Sequence, residues 1–444
     1  MIRGLIFLLV MILTIMQVQA FELVLPTEKK SIVNTQYAFF VGKAKGNETI
    51  SINDEGVYVA PNGAFAHSVK LKDGENRIMV RSQYGRQFYK LYKNKPETQQ
   101  EFATENFETV KAVVNKDNTP LRSTPVDGGL NRMGHLFKDT ELVLNGSNGD
   151  FYRVFLSDKK IGWVAKKDVT ILDCEKLTPA EFIDMKTERY KNAAVQTIEF
   201  TKKLPYTIEE NSKEIIMRIY NPELSVDSVY NLNIPKPEKY TYKVSLTGSK
   251  YTLKVREVPK DIKECTIVVD AGHGGSERGA IGCLGDEEKD INLKIAENLA
   301  AELGKAGANV VMTRECDGFI SLDERVRIAR ESDADIFVSI HLNSIGDIPM
   351  DIHKNRGTSV YYFNNNSAKL AKDVENAVTK HIKTRNDGVK TASFAVVRPT
   401  DYVGILVETA YMTNPMDSVL YTSEKFPSRA AEGIAKGIIE YIKK

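Results

Sequence analysis

A chain of 444 residues is too long for a single compact core, so two to four domains are expected. Its 61 basic and 59 acidic residues nearly cancel, which leaves no charge excess to drive binding to nucleic acid or an anionic membrane. The four cysteines, Cys174, Cys265, Cys283 and Cys316, are too few and too scattered for a stapled framework and form no CxxC pair. They read as buried free thiols, with a Cys283–Cys316 pairing as the alternative.

Arg3, the apolar run Leu5 to Met16 and Val18-Gln19-Ala20 have the order of a secretory signal peptide over residues 1–20, cleaved after Ala20. The alternative is an uncleaved membrane anchor, since Ile2 to Val18 is nearly long enough to span a bilayer. Either way the chain is exported, to the periplasm or cell envelope.

Over residues 21–95 apolar and polar residues alternate in short runs, as in Thr49-Ile50-Ser51-Ile52 and Arg77-Ile78-Met79-Val80, with turn-formers at Asn53-Asp54 and Asn62-Gly63. Short strands with regular turns predict a small β-sandwich, which resembles Ig-like modules of bacterial surface proteins. A polar linker from Lys95 to Asn106 follows. Residues 107–172, with Leu121-Arg-Ser-Thr-Pro125, Asp150-Phe-Tyr-Arg-Val154 and Gly162-Trp-Val-Ala165, resemble a bacterial SH3 domain, a resemblance that implies a wall-targeting role. Trp163 is expected in the core rather than stacked on a ligand. Residues 177–258 read as a third β-module, with strands at Val195 to Phe200, Glu214 to Tyr220 and Tyr240 to Val244. Around Leu204-Pro-Tyr-Thr207 this module resembles the AMIN wall-targeting domain. These β-modules are also where cell-envelope protein partners would dock.

From residue 261 to 444 the pattern becomes strand-helix alternation. Cys265 to Asp270, Val310 to Thr313, Ile336 to Ile340, Ser359 to Phe363 and Ile405 to Val407 are β-branched runs typical of buried strands. Ile291, Ile295, Leu299 and Leu303 mark one helix face; Ser321 and Glu324 form a capping box; Leu370, Val374 and Val378 mark a third helix. The prediction is an α/β domain with a mostly parallel sheet flanked by helices, preceded by several small all-β domains.

Open α/β sheets collect chemistry at the C-terminal ends of their strands. His273 follows one strand, His341 and Glu408 each end another, and Glu288 sits at the mouth of the Ile291 helix. Singly, each has a bland reading: a satisfied histidine, or a helix N-terminal charge. Together they form a set of two histidines and two carboxylates that suits catalytic zinc, with three groups as ligands and one carboxylate left over as a base. The glycines of Gly274-Gly275-Ser276-Glu277-Arg278-Gly279 lack the Lys-Ser or Lys-Thr ending of a phosphate loop, and are read as sharp turns beside the metal.

Asp270-Ala-Gly-His-Gly-Gly275, Glu288-Lys-Asp-Ile-Asn-Leu293, Met312-Thr-Arg314, Ser339-Ile-His-Leu-Asn343 and Leu406-Val-Glu-Thr-Ala-Tyr-Met-Thr-Asn-Pro415 occur in order. On these motifs the chain from about Thr266 to Tyr441 resembles the zinc N-acetylmuramoyl-L-alanine amidases of the Amidase_3 family. The resemblance implies zinc ligands at His273, Glu288 and His341, a catalytic glutamate at Glu408, and peptidoglycan as substrate. Glu287 is a neighbour that does not precede Lys289 as the pattern asks, and Glu277-Arg278 replaces the usual Asp-Pro. Asn343 and Arg398 are candidate substrate-binding residues, the first alternatively ordering His341 and the second alternatively capping the sheet after a strand-like Phe394 to Val397. The short interval from Asn343 to Ser359 predicts no autoinhibitory helical insertion, with the Asp347 to Arg356 loop and its His353 as a possible shield of the cleft. Competing readings are a zinc peptidase cutting the stem peptide and a non-catalytic wall-binding protein.

Overall fold

The computed structural model describes residues 21–94, 103–172, 178–222, 228–345, 352 and 354–444. The signal segment, Cys174, most of the polar linker and His353 lie outside them.

Residues Phe21 to Lys93 form two sheets, one of three strands and one of five, around Phe21, Phe40, Phe65, Ile78, Val80 and Leu91. Asn53 and Asp54 both take positive φ in the turn between the strands Ile50–Ile52 and Glu55–Val57, the geometry that tight hairpins demand. Residues Glu105 to Leu172 build one seven-stranded sheet on Leu121, Leu144, Val154 and Val164, and Trp163 is buried. Residues Phe182 to Glu257 form a four-stranded and a three-stranded sheet sharing the core of Phe200, Met217, Leu232, Tyr251 and Leu253. This module reaches its predecessor through the stacked rings of Phe137 and Tyr206.

The last unit has six strands: β1 (Thr266–Ala271), β2 (Asn309–Met312), β3 (Ile336–Asn343), β4 (Thr358–Tyr362), β5 (Asn386–Thr391) and β6 (Val403–Tyr411). Their order is β2-β1-β3-β6-β4-β5, parallel throughout except where β4 meets β6. The helices are α1 (Glu288–Lys305), α2 (Leu322–Glu331), α3 (Ala368–Ile382), α4 (Pro415–Tyr421) and α5 (Phe426–Lys443). One face of the sheet buries Ile267, Val338, Ile405 and Val360 against α1, α3 and α5. The other packs Val268, Phe337 and Leu406 against Ala329 of α2 and Val396 and Val397. Because side chains alternate along a strand, Asp270, Ser339, His341, Glu408 and Ser359 all fall on this second face.

Three expectations need correction. Cys316 is exposed rather than buried, and like the buried Cys265 and Cys283 it is a free thiol. Phe394 to Val397 is no strand: Ala395–Val397 is a single 3-10 turn, because Asn364 Nδ2 donates to the carbonyls of Val397, Arg398 and Pro399 and curls the segment. The strand read at Ile405 to Val407 runs from Val403 to Tyr411, so Glu408 lies inside it rather than at its end. No helix among the described residues is long and apolar enough to cross a membrane.

Candidate metal centre

Strand β1 ends in a turn whose tightness is set by what approaches it. A Cβ on Gly272 would lie 2.3 Å from the His341 ring, and one on Gly279, where φ is +69°, would lie 2.5 Å from Glu288 Oε2 and 2.7 Å from His273 Cδ2. Only residues without a side chain let the backbone pass this close. His273 itself sits at φ 60°, a left-handed conformation that costs an L-residue about 1–2 kcal/mol.

That conformation is held by two buried arginines. Arg325 Nη1 donates to Asp270 Oδ1 at 2.5 Å and to the Ala271 carbonyl at 2.7 Å, while its Nη2 donates to the His273 carbonyl at 2.8 Å. Arg314 donates through Nε to Ala271 O at 2.9 Å and through Nη2 to Gly272 O at 3.0 Å and Lys289 O at 2.9 Å. Asp270 also accepts from Thr313 Oγ1 at 2.7 Å and Ser339 Oγ at 2.6 Å. Each carbonyl that turns away from the sheet to aim His273 therefore has a charged donor, which is how an irregular buried backbone stays satisfied.

Glu288 is the first residue of α1, and its carboxylate lies between the two imidazoles. Oε2 is 3.2 Å from His273 Nε2 and accepts from Ala280 N at 2.8 Å. Oε1 is 2.9 Å from His341 Nδ1 and accepts from Leu342 N at 3.1 Å and Asn292 Nδ2 at 3.2 Å. The rings of His273 and His341 lie edge to face, 4.9 Å apart. Ligand atoms of His273, Glu288 and His341 fall within 4.8 Å of one another. Burial opposes ionisation of Glu288, but hydrogen bonds from His273 and His341 outweigh it and hold the carboxyl well below its usual range. Burial likewise opposes the charged form of His273, and the Glu288 partner overrides it to raise the imidazole's pKa. Glu287 points elsewhere, bridging Arg278 Nη2 at 2.6 Å, so the departure at Arg278 has a local partner.

Two imidazole nitrogens and one carboxylate oxygen, the carboxylate held by Ala280 N, Leu342 N and Asn292, form the donor set that zinc accepts with a position left open. The residues fit such an ion.

Glu408 sits beside this trio. It pairs in register with His341 across β3 and β6, and with Ser359 across β4 and β6. Its Oε2 is buried without a hydrogen-bond partner among the described residues, as is Ser359 Oγ. Burial first, and the Glu288 charge second, raise its pKa well above the ordinary carboxyl value, opposed by Lys390. A carboxylate with an empty, desolvated oxygen next to a cation site is poised to take a proton from a guest molecule.

Neither of the two remaining candidates is hydrogen-bonded to the trio among the described residues. Asn343 Oδ1 accepts from Ser344 N at 2.8 Å and its carbonyl accepts from Met412 N, with no bond to His341. Arg398 donates to Ser393 O at 2.8 Å, beyond the ring pair of Tyr361 and Phe394. Asp270, Arg314, Arg325 and Asn292 shape the site without standing out in the sequence, save that Asn292 is a polar residue on the otherwise apolar inner face of α1.

The family model described as N-acetylmuramoyl-L-alanine amidase, Amidase_3, matches residues 267–440, the extent of the α/β unit. N-acetylmuramoyl-L-alanine amidase AmiA of Escherichia coli (strain K12) is 30% identical over 222 residues, covering 39% of this chain and 75% of the relative. N-acetylmuramoyl-L-alanine amidase LytC of Bacillus subtilis (strain 168) is 37% identical over 180 residues, covering 40% of this chain and 35% of the relative. Among solved structures, N-acetylmuramoyl-L-alanine amidase AmiC2 of Nostoc punctiforme is 39% identical, covering 40% of this chain and 98% of that one, with a TM-score of 0.38.

Proposed function

This chain belongs to the N-acetylmuramoyl-L-alanine amidase family, and on that premise we propose that it is a zinc-dependent amidase. Its reaction is hydrolysis of the amide between N-acetylmuramic acid and L-alanine in peptidoglycan. The observation that carries the reading is the juxtaposition of His273, Glu288 and His341 with the unpartnered carboxylate of Glu408.

His273, Glu288 and His341 would hold the ion. When bound, zinc supplies a Lewis acid that polarises a carbonyl and makes water acidic enough to ionise near neutral pH. Glu408 accepts the proton of the attacking water on Oε2 and returns it to the departing alanine amine. Its environment suits both steps, because burial lifts its proton affinity above that of a solvated carboxylate. Ala280 N, Leu342 N and Asn292 keep the Glu288 carboxylate from rotating during turnover. The Arg314 and Arg325 donors hold the His273 turn in the conformation that aims its ring.

The domain limits follow the same reading: an exported chain with an Ig-like module at residues 21–95, an SH3-like wall-binding module at 107–172, a third β-module at 177–258 and the amidase at 261–444. The test is metal content with mass spectrometry of digested muropeptides. Muramic acid freed of peptide supports the proposal; shortened peptides still attached to glycan refute it. Glu408→Gln retains the metal, and general-base loss lowers kcat by roughly 10²–10⁴-fold. A variant that keeps full activity removes Glu408 from its role.

A further inference from the structure

The junction between the SH3-like module and the α/β domain gathers cations that the catalytic assignment does not use. Arg122 and Arg132 come from the β-module and Arg398 from the segment after β5. The domains touch here: a Cβ on Gly129 would lie 2.3 Å from Ser393 Cβ. Arg122 is almost fully buried and is matched by Asp127 at 2.5 Å. Arg132 and Arg398 have no carboxylate partner among the described residues. Arg132 Nη1 meets His135 Nε2 at 3.1 Å, and Arg398 Nη1 donates to the Ser393 carbonyl at 2.8 Å. Asp127 and Asp323 are the carboxylates near enough to be felt.

Arg122 Nε, Arg132 Nε and Ser393 Oγ are buried at this junction without a hydrogen-bond partner among the described residues. Burial destabilises the charged form of Arg132, and Arg398 and Arg122 add like-charge repulsion. His135, surrounded by the same arginines, is driven to a pKa of about 4, chiefly by burial, and so adds no charge at neutral pH. Half-buried guanidiniums without a carboxylate partner, near enough to repel one another, are costly unless an anion joins them, and a planar fork is suited to an oxyanion.

The junction is also connected to the metal centre along one face of the sheet. Ser359 neighbours Glu408 and Tyr361 lies two residues further along β4, a step of about 7 Å. The Phe394 ring is 5.4 Å beyond Tyr361, and Ser393 and Arg398 flank it. The path from Ser359, beside Glu408, to the Phe394 ring is thus roughly 12 Å, and four extended residues reach about 13–14 Å.

We propose that Arg132 and Arg398 form an oxyanion subsite across the domain junction that receives the free C-terminal carboxylate of a four-residue stem peptide. The subsite rests on the amidase reading for the identity of its ligand. It gives the β-module a direct share in choosing substrate, with the peptide lying over Tyr361 and Phe394 between the scissile amide and the arginines.

The test uses the full chain and two synthetic muramyl tetrapeptides, one a C-terminal acid and one its C-terminal amide. Wild-type KM is expected to be about ten-fold or more lower for the acid. In Arg132→Gln and Arg398→Gln the acid's KM rises toward that of the amide while its kcat changes less than about two-fold, and Arg398→Lys recovers part of the preference. Equal KM values for acid and amide in the wild type overturn the proposal, as does a Gln variant that raises both alike. If a Gln variant fails to fold, the wild-type comparison and the Lys variant decide. Equilibrium binding of the free tetrapeptide acid and its amide needs no turnover, so it separates a failed subsite from a failed amidase assignment. Inorganic phosphate is the competing probe: if it binds in an arginine-dependent way while acid and amide bind alike, the site serves phosphate and the carboxylate assignment falls.

Discussion

The Asp270–Arg325 pair holds the metal centre's shape, and its removal has a calculable cost. Both side chains are nearly inaccessible, at 1% and 3% exposure, and their atoms meet at 2.5 Å. Arg325→Met fills much of the same space but leaves Asp270 only the hydroxyls of Thr313 and Ser339, and strips donors from the carbonyls of Ile320, Ala271 and His273. Breaking one side of a buried pair costs about 3–5 kcal/mol, since the surviving charge stays desolvated. The expected loss in urea unfolding of the metal-free protein is therefore about 3–5 kcal/mol. Asp270→Asn with Arg325→Met should cost less than the sum of the two single variants, by about 1–3 kcal/mol, because neither charge is then stranded. The same change frees the left-handed His273 turn, so zinc affinity, read by chelator competition, should fall about 10- to 100-fold. A single variant costing under about 1 kcal/mol, or strict additivity in the double variant, would refute the idea that this pair acts as a unit.

Gly279→Ala places a methyl within 2.5 Å of Glu288 Oε2 at φ +69°, so it should weaken zinc binding and activity together; an active variant of unchanged zinc affinity excludes the close-packing argument. His135 supplies a pH signature. Its folded pKa of about 4 lies below the ordinary 6.5, mainly through burial, so the unfolded chain binds the extra proton between those values and stability falls as pH drops from about 6.5 to about 4. The linkage amounts to up to about 3 kcal/mol, and His135→Gln should lack that component when unfolding is followed across the window; parallel curves for both proteins would rule it out.

The parts of the fold that were legible in sequence are those whose side-chain period is set by a single buried face. Ile295, Leu299 and Leu303 mark α1 because they recur at helical spacing along its buried face, beside Asn292 and Ala296, and Ile336 to Ile340 reads as a strand because both faces are covered. The metal trio was legible because His273 follows a strand, Glu288 opens a helix and His341 lies close to a strand's C-terminal end, although β3 runs on to Asn343 and so contains the histidine that was expected to end it. Helix α5 has the same kind of period as α1, with Phe426, Ala430, Ile434, Ile438 and Ile442 on its buried face, but its stripe is built partly from small residues because Gly433 and Gly437 let it cross α3 closely. Strand β5, with Asn386, Asp387 and Gly388, is an edge strand with a polar sequence. The arginine cradle is a matter of long-range geometry: Arg325 lies 55 residues from Asp270 in sequence, and no local spacing announces that they meet.

The centre also has an external support from the β-modules. Val41, Ala60, Ala64 and Ala66 of the first β-module bury against Cys283, Ile345 and Ile352. Cys283 lies between His273 and Glu288 in the chain, and Ile345 follows His341 by four residues, so the module braces both ligand-bearing segments. On another side Arg256 of the third module pairs with the nearly inaccessible Asp335 at 3.0 Å. A protein of residues 261–444 loses both contacts. Exposing Ile345 and Ile352 alone forfeits about 1.5–3 kcal/mol per side chain, and Asp335 is left without its cation. The hydrogen bonds that shape the site are all internal to the domain: Arg314, Arg325, Asn292 and the main-chain donors to Glu288 remain. The truncated protein is therefore expected to bind zinc with nearly native affinity and to digest purified peptidoglycan without an added activator, while unfolding several kcal/mol more easily than the same domain in the full chain. If it folds yet binds zinc weakly, the brace from the first module, and not the arginine cradle, sets the geometry of the ligands. If it binds zinc but lyses only when a partner is added, the cradle is sufficient for the metal and insufficient for catalysis.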